Sequence, residues 1–241
     1  MKFHWWAKTD VGKVRDENQD SWSVVPKYNL YMVADGMGGH AGGKIASTMA
    51  TNYVEKFFVE DNPNKKQAFF NALIQANHQI FEKSSDTPEL NGMGTTFTGF
   101  IKDKNRLHLL HVGDSKAYLY RDGSIEQLTK DHTWVEEQLR AGYITPEEAQ
   151  NSKFKSVITR SVGFSKSIEI DSHSIPYSSG DLFILCSDGL SNYIPMPELE
   201  RICTYSFYSE LPELLVQSAL NRGGADNITV VVVYIANEPV S

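Results

Sequence analysis

The run LYMVADGMGGHAGG, residues 30–43, passes from a wholly apolar strand-like segment, Leu30 to Ala34, into an aspartate and then a glycine-rich loop. Helical periodicity follows at once: from Gly43 to Phe58, Ile45, Met49, Tyr53 and Phe57 share one face. A second helix over Pro63 to Lys83 repeats the pattern with Phe69, Leu73, Ala76 and Ile80, and Asn62-Pro63 reads as its cap and first turn. A strand leading through glycines to a helix also occurs in nucleotide-binding loops. Residues 36–43 lack the Gly-Lys-Ser/Thr ending of a P-loop, and no Rossmann glycine pattern occurs.

Outward from this stretch, strand-like runs lie at about 3–9, 21–25, 29–34, 96–102, 106–112, 116–121, 168–175, 181–186 and 228–235. Short turns such as Asp103-Lys104-Asn105 and Asp122-Gly123 join several of them, which favours antiparallel hairpins. A late helix at about 211–221 ends at Gly223-Gly224. Between about 131 and 165 two short helices interrupt the strands, the second opened by the capping box Thr145-Pro146-Glu147-Glu148. This segment reads as a mobile flap outside the sheets. Hairpins with a consecutive helical pair and a later helix predict an α+β layered sandwich rather than alternating βαβ units.

The chain has 241 residues, 41% of them hydrophobic and 22% charged, with no linker tract or repeat, and reads as one domain over 1–241. A net charge of −7 argues against a nucleic-acid partner. The apolar start is cut short by Lys8 and Asp10, and the longest apolar run, Val230 to Ala236, is far below the ~20 residues of a membrane helix. Cys186 and Cys203 stand alone, without CxxC spacing or a Cys-x5-Arg phosphate loop. These features predict a cytoplasmic protein without a membrane anchor.

Three aspartates stand beside strand-like runs and next to glycine or asparagine: Asp35-Gly36, Asp188-Gly189 and Asp226-Asn227. Any one of them is also what an ordinary turn uses. Taken together, carboxylates at strand ends need a partner, because burying an unpaired one is costly, and no basic residue adjoins Asp35 or Asp188 in sequence. Carboxylates with a glycine carbonyl and water suit Mg²⁺ or Mn²⁺, whereas zinc would call for HxH, HExxH or CxxC spacing, and none occurs. Glycines at 36, 38 and 39 can turn carbonyls toward an ion through φ > 0, or can simply serve a tight turn.

Seven segments, in order along nearly the whole chain, carry a resemblance to a known family. They are Arg15 to Asp20, DGMGGHAGG at 35–43, Met93 to Thr96, His111 to Ser115, Leu128 to Thr133, Ser187 to Gly189, and Gly224 to Thr229. The chain resembles the metal-dependent serine/threonine protein phosphatases of type 2C (PPM), in their minimal bacterial form. The resemblance implies a four-layer α-β-β-α sandwich of two mainly antiparallel sheets flanked by helices. It implies Mn²⁺ or Mg²⁺ as cofactor, two ions in the core site and room for a third. Asp35 would bridge two of them, with the Gly36 carbonyl on one and Asp188 and Asp226 on the other. The third would fall to Asp114 with Asp188, although Gly113-Asp114-Ser115 also suits a hairpin turn. Asp20 would accept hydrogen bonds behind the metals, and Arg15 would clamp phosphate with its planar fork. Asn18 and Gln19 would shape the loop, Gln19 standing where some relatives carry an acidic ligand. His40 aligns with the family's proposed general acid if Met37-Gly38-Gly39 is an insertion; otherwise Met37 takes that place and the proton donor is unassigned. Asp131 and His132 read as a capping pair at the start of the flap, and His111 as an ordinary sheet residue.

The implied reaction is hydrolysis of phosphoserine or phosphothreonine by a water activated between two metals, with no covalent enzyme intermediate. Two rivals remain at this point: a phosphohydrolase of small esters, and a non-catalytic module that binds phosphoproteins or a kinase. The implied partners are phosphoprotein substrates and a cognate serine/threonine kinase, and nothing in the sequence calls for an oligomer.

Overall fold

A computed structural model describes residues 1–58 and 64–237, except for the side chain of His40. Eleven strands form among these residues: β1 (Lys2–Asp10), β2 (Asp20–Val25), β3 (Leu30–Met37), β4 (Gly94–Thr95), β5 (Phe97–Asp103), β6 (Arg106–Val112), β7 (Lys116–Arg121), β8 (Ser124–Gln127), β9 (Asp171–Pro176), β10 (Leu182–Cys186) and β11 (Ile228–Ala236). The helices are α1 (Gly39–Phe57), α2 (Lys65–Asp86), α3 (Trp134–Arg140), α4 (Pro146–Gln150), α5 (Asp188–Ser191), α6 (Met196–Tyr205) and α7 (Leu211–Asn221).

One sheet runs β1-β11-β10-β7-β8 and the other β2-β3-β5-β6-β9, with β4 paired to β3. Every assigned strand pair is antiparallel. Side chains of a strand alternate between faces, and here both faces of each sheet are covered. Leu30, Met32 and Ala34 of β3 pack with Ala46, Ala50 and Val54 of α1 and with Phe69 and Leu73 of α2. The alternate residues Tyr31 and Val33 point the other way and meet Phe183 and Leu185 of β10 and Val231 and Val233 of β11. On the far side, Ile228, Val230 and Val232 pack with Leu199 of α6 and Leu215 and Ala219 of α7. Three apolar layers between four structural ones make the α-β-β-α sandwich expected from the resemblance. No helix among the described residues is long and apolar enough to cross a membrane.

Several local expectations change. Asn62-Pro63 lies outside the described residues, and it is Asn64 that caps α2, its side chain accepting from the Gln67 N–H at 3.0 Å. α1 begins at Gly39, four residues before the expected Gly43, so Gly42 is helical rather than a loop residue. Gly36 stays within β3, and its lack of a side chain serves close packing: a Cβ there would fall 2.0 Å from the Gly43 carbonyl oxygen. Positive φ is confined, in this stretch, to Gly38 (126°) and Gly39 (75°). Thr133 caps α3, accepting from Glu136 N–H at 3.3 Å. Asp131 instead pairs with Lys116, and His132 turns inward.

Candidate metal and phosphate site

The candidate residues come from both sheets. Asp35 ends the apolar part of β3 directly opposite Asp20 of β2. Asp114 lies in the turn between β6 and β7, Asp188 opens α5 just after β10, and Asp226 lies in the turn between α7 and β11. Arg15 belongs to the irregular, exposed segment between β1 and β2. A cleft of about 900 Å³ is lined by Arg15, Asp35, Gly36, Asp114, Asp188 and Asp226. The structure thus brings together six of the eight residues singled out in the sequence. Asp20 sits behind Asp35 rather than on the cleft wall, and the side chain of His40, in the first turn of α1, is outside what is described.

Backbone contacts fix the Asp35 strand end. Its N–H donates to Thr96 Oγ1 at 2.8 Å, and its carbonyl accepts from the Thr96 N–H at 2.9 Å and from Thr95 Oγ1 at 2.8 Å. Ser187 links the sheets: its Oγ donates to Asp20 Oδ2 at 2.7 Å and accepts from Thr229 N–H at 3.0 Å. Gln19 bridges Glu17 Oε1 at 2.8 Å and the Gly39 carbonyl at 3.2 Å, tying the segment before β2 to the start of α1.

Crowded carboxylates in a dry setting resist ionisation. Burial, with the charges of Asp188 and Asp226 nearby, pushes Asp20 up to about 7 despite hydrogen bonds from Ser187 and Thr229. Burial followed by the charge of Asp188 raises Asp114 to about 7. Asp35 is held well above the usual carboxylate range by burial and then by Asp20, Asp188, Asp114 and Asp226. Burial, then Asp226, raises Asp188. Arg15 Nη2 donates to Asp226 Oδ2 at 2.8 Å, and that bond is the chief reason its own pKa rises.

These residues fit a hard divalent cation. The donors are carboxylate oxygens, and Asp20 Oδ1 and Asp188 Oδ1 are buried with no hydrogen-bond partner, a costly state that positive charge would relieve. As the side chains stand, no group of three or more His, Cys, Asp or Glu among the described residues is arranged around one ion. Asp188 Oδ2 accepts from Asn192 Nδ2 at 3.1 Å and Asp226 Oδ2 from Arg15 Nη2 at 2.8 Å, and each carboxylate keeps lone pairs for an ion.

Two features escaped the sequence. His132 is 1% exposed and its ring lies 4.7 Å from that of His111. Its Nδ1 accepts from Gly113 N–H at 3.1 Å and its backbone N–H donates to the Gly113 carbonyl at 2.8 Å, which pins the turn carrying Asp114. Nε2 lies 3.3 Å from Asp171 Oδ2 without the alignment of a hydrogen bond. The other is Asn227, whose carboxamide is wholly engaged with the Arg15 segment. Both stood in quoted motifs, and only their three-dimensional partners distinguish them from neighbours.

A sequence model of the family described as protein phosphatase 2C matches residues 13–222. The serine/threonine phosphatase stp of Listeria welshimeri is 36% identical over 235 residues, covering 94% of this chain and 93% of its own. The protein phosphatase PhpP of Streptococcus pneumoniae is 37% identical over 240 residues, covering 95% and 96%. Among solved structures, the Mycobacterium tuberculosis serine/threonine phosphatase PstP/Ppp superposes with a TM-score of 0.92 at 35% identity, over 98% of this chain and 100% of that one. The catalytic domain of PstP in complex with two manganese ions gives 0.87 at 35% identity, over 98% and 99%. With a family match over most of its length and relatives well above 30% identity, this chain belongs to the protein phosphatase 2C family.

Proposed function

We propose that this chain hydrolyses phosphoserine and phosphothreonine in proteins, using divalent cations held by Asp35, Asp188 and Asp226, with the Gly36 carbonyl, and by Asp114 together with Asp188. Serine/threonine protein phosphatase activity of the 2C type follows from the family and from relatives matched almost end to end. The observation that carries the site reading is the cleft in which Asp35, Asp114, Asp188 and Asp226 converge beside Arg15. Mn²⁺ or Mg²⁺ held there, two ions at the core and a third by Asp114, would neutralise phosphate charge and lower the pKa of an attacking water.

The protein's own groups supply position. Arg15 spends one arm of its fork on Asp226, which fixes the guanidinium at the mouth of the cleft and leaves its remaining N–H groups for phosphate oxygens. Asp20, braced by Ser187, faces the cluster from behind Asp35 and would accept a hydrogen bond from water. His40, next to Gly39 on the cleft wall, is the proposed proton donor to the leaving serine or threonine oxygen. The buried thiols take no part: burial raises both Cys186 and Cys203 to about 12. A partner kinase that places the phosphates is the protein class this activity requires.

The test is phosphate release from a phosphothreonine peptide with Mn²⁺, with Mg²⁺ and with excess EDTA. Turnover restored by metal is the expected result. Folded protein inactive under every metal would overturn the catalytic reading.

A further inference from the structure

We propose that Asn227 is a positioning residue for Arg15: its side chain holds the 11–19 segment against the Asp226 turn and so sets the guanidinium at the cleft. The proposal rests on the reading of Arg15 as the phosphate clamp. The segment from Lys13 to Asp16 is exposed and belongs to no strand or helix, so its shape depends on contacts from outside it.

Asn227 provides those contacts. It is 5% exposed. Its Oδ1 accepts from Gln19 N–H at 2.8 Å, and its Nδ2 donates to the Val11 carbonyl at 2.8 Å and the Glu17 carbonyl at 3.0 Å. The three anchor points bracket Arg15 on both sides. One acceptor and two donors on a single short side chain are what a carboxamide offers; aspartate would keep the acceptor and lose both donations. The backbone of Asn227 serves the same turn, its N–H donating to Asp226 Oδ1 at 2.8 Å while Arg15 Nη2 takes Asp226 Oδ2. Two more contacts close the join. Lys13 N–H donates to the Gly224 carbonyl at 2.7 Å, and a Cβ on Gly12 would lie 2.3 Å from the Asp226 carbonyl oxygen. Asn227 therefore makes one unit of the phosphate-facing arginine and the Asp226 turn, which lie more than two hundred residues apart in the chain.

The test is a double-mutant cycle on the full chain with Mn²⁺ and a phosphothreonine peptide, combined with amide exchange. Asn227→Ala is expected to raise KM on the order of tenfold with a smaller change in kcat, and to speed exchange across residues 11–19 while β10 and β11 stay protected. In the Arg15→Ala background the same change is expected to shift KM less than about twofold, because the arginine it positions is gone. Equal effects in both backgrounds, or unchanged exchange at 11–19, would overturn the proposal while leaving the clamp intact. A normal KM for Arg15→Ala alone would overturn the clamp and this proposal with it. Should Asn227→Ala fold poorly, Asn227→Asp, which keeps the acceptor for Gln19, carries the same measurements.

Discussion

Asp35 forms no ion pair among the described residues and is crowded by four other carboxylates, whereas Asp226 already has an arginine on one oxygen. The two should fail differently. Asp35→Asn removes negative charge from an over-charged cluster, so the apo protein is expected to keep its far-UV circular dichroism and its melting temperature, or gain slightly, while turnover with Mn²⁺ falls by several orders of magnitude. Retained turnover would take Asp35 out of the metal core. Arg15→Ala is expected to raise KM for a phosphopeptide more than it lowers kcat, as befits a contact made alike in ground and transition states; steady-state kinetics that showed only a kcat loss would contradict it. At this scale the aspartates and the arginine were legible because each sits in a short motif. The sequence offered nothing to separate Asn227 from Asn18, or His132 from Asp131, since a side chain's burial and partners are tertiary facts.

Among elements, the strands were readable from alternation and hairpin turns, and all nine expected ones form. β4 and β8 were missed because two and four residues are too few to show a period. α6 was hidden by Pro195 and Pro197 at its start and by an inward face that amounts to Leu199 and Cys203. Gly38 and Gly39 take the positive φ expected of them, and Gly36 does not, for a physical reason. A glycine needed for φ > 0 and one needed for close approach look the same in a sequence, yet Gly36 and Gly43 touch each other where α1 crosses β3. Gly36→Ala would force its Cβ into the Gly43 carbonyl, and such overpacking typically costs about 1–3 kcal/mol. Urea denaturation is the check: a stability loss below about 0.5 kcal/mol would mean that α1 slides aside without strain.

Taken whole, the molecule stores like charge where its two sheets meet. Asp20, Asp35, Asp114 and Asp188 all bind protons more tightly folded than unfolded. Their contribution is therefore fully favourable at pH below about 3.8 and declines as pH rises toward 7 and above, because the folded state must then give up those protons or carry the repulsion. His111 acts in the opposite sense, since burial lowers it to about 3 and folding loses stability as pH falls below about 6.5. Calorimetry in EDTA should therefore show a melting temperature that falls between pH 6 and pH 8. Millimolar Mn²⁺ should raise it, and by more at pH 8, where a ligand at 100 times its Kd adds about 2.7 kcal/mol. A cation effect that did not grow with pH would separate the stabilising ion from these carboxylates.

β11 lies between β1 and β10, with a consequence for synthesis. During translation the six-stranded sheet, formed by β2 to β6 with β9, is complete once residue 176 has emerged. β1 and β10 must wait with bare edges until the chain reaches Ala236, although one of them was made first. Exposed edges of that kind invite pairing with other chains. A nascent or prematurely ended chain that stops short of β11 thus holds Asp35 in place but cannot anchor Asp226. The cell would be spared a stray phosphatase from incomplete products and would meet an aggregation-prone fragment in its place.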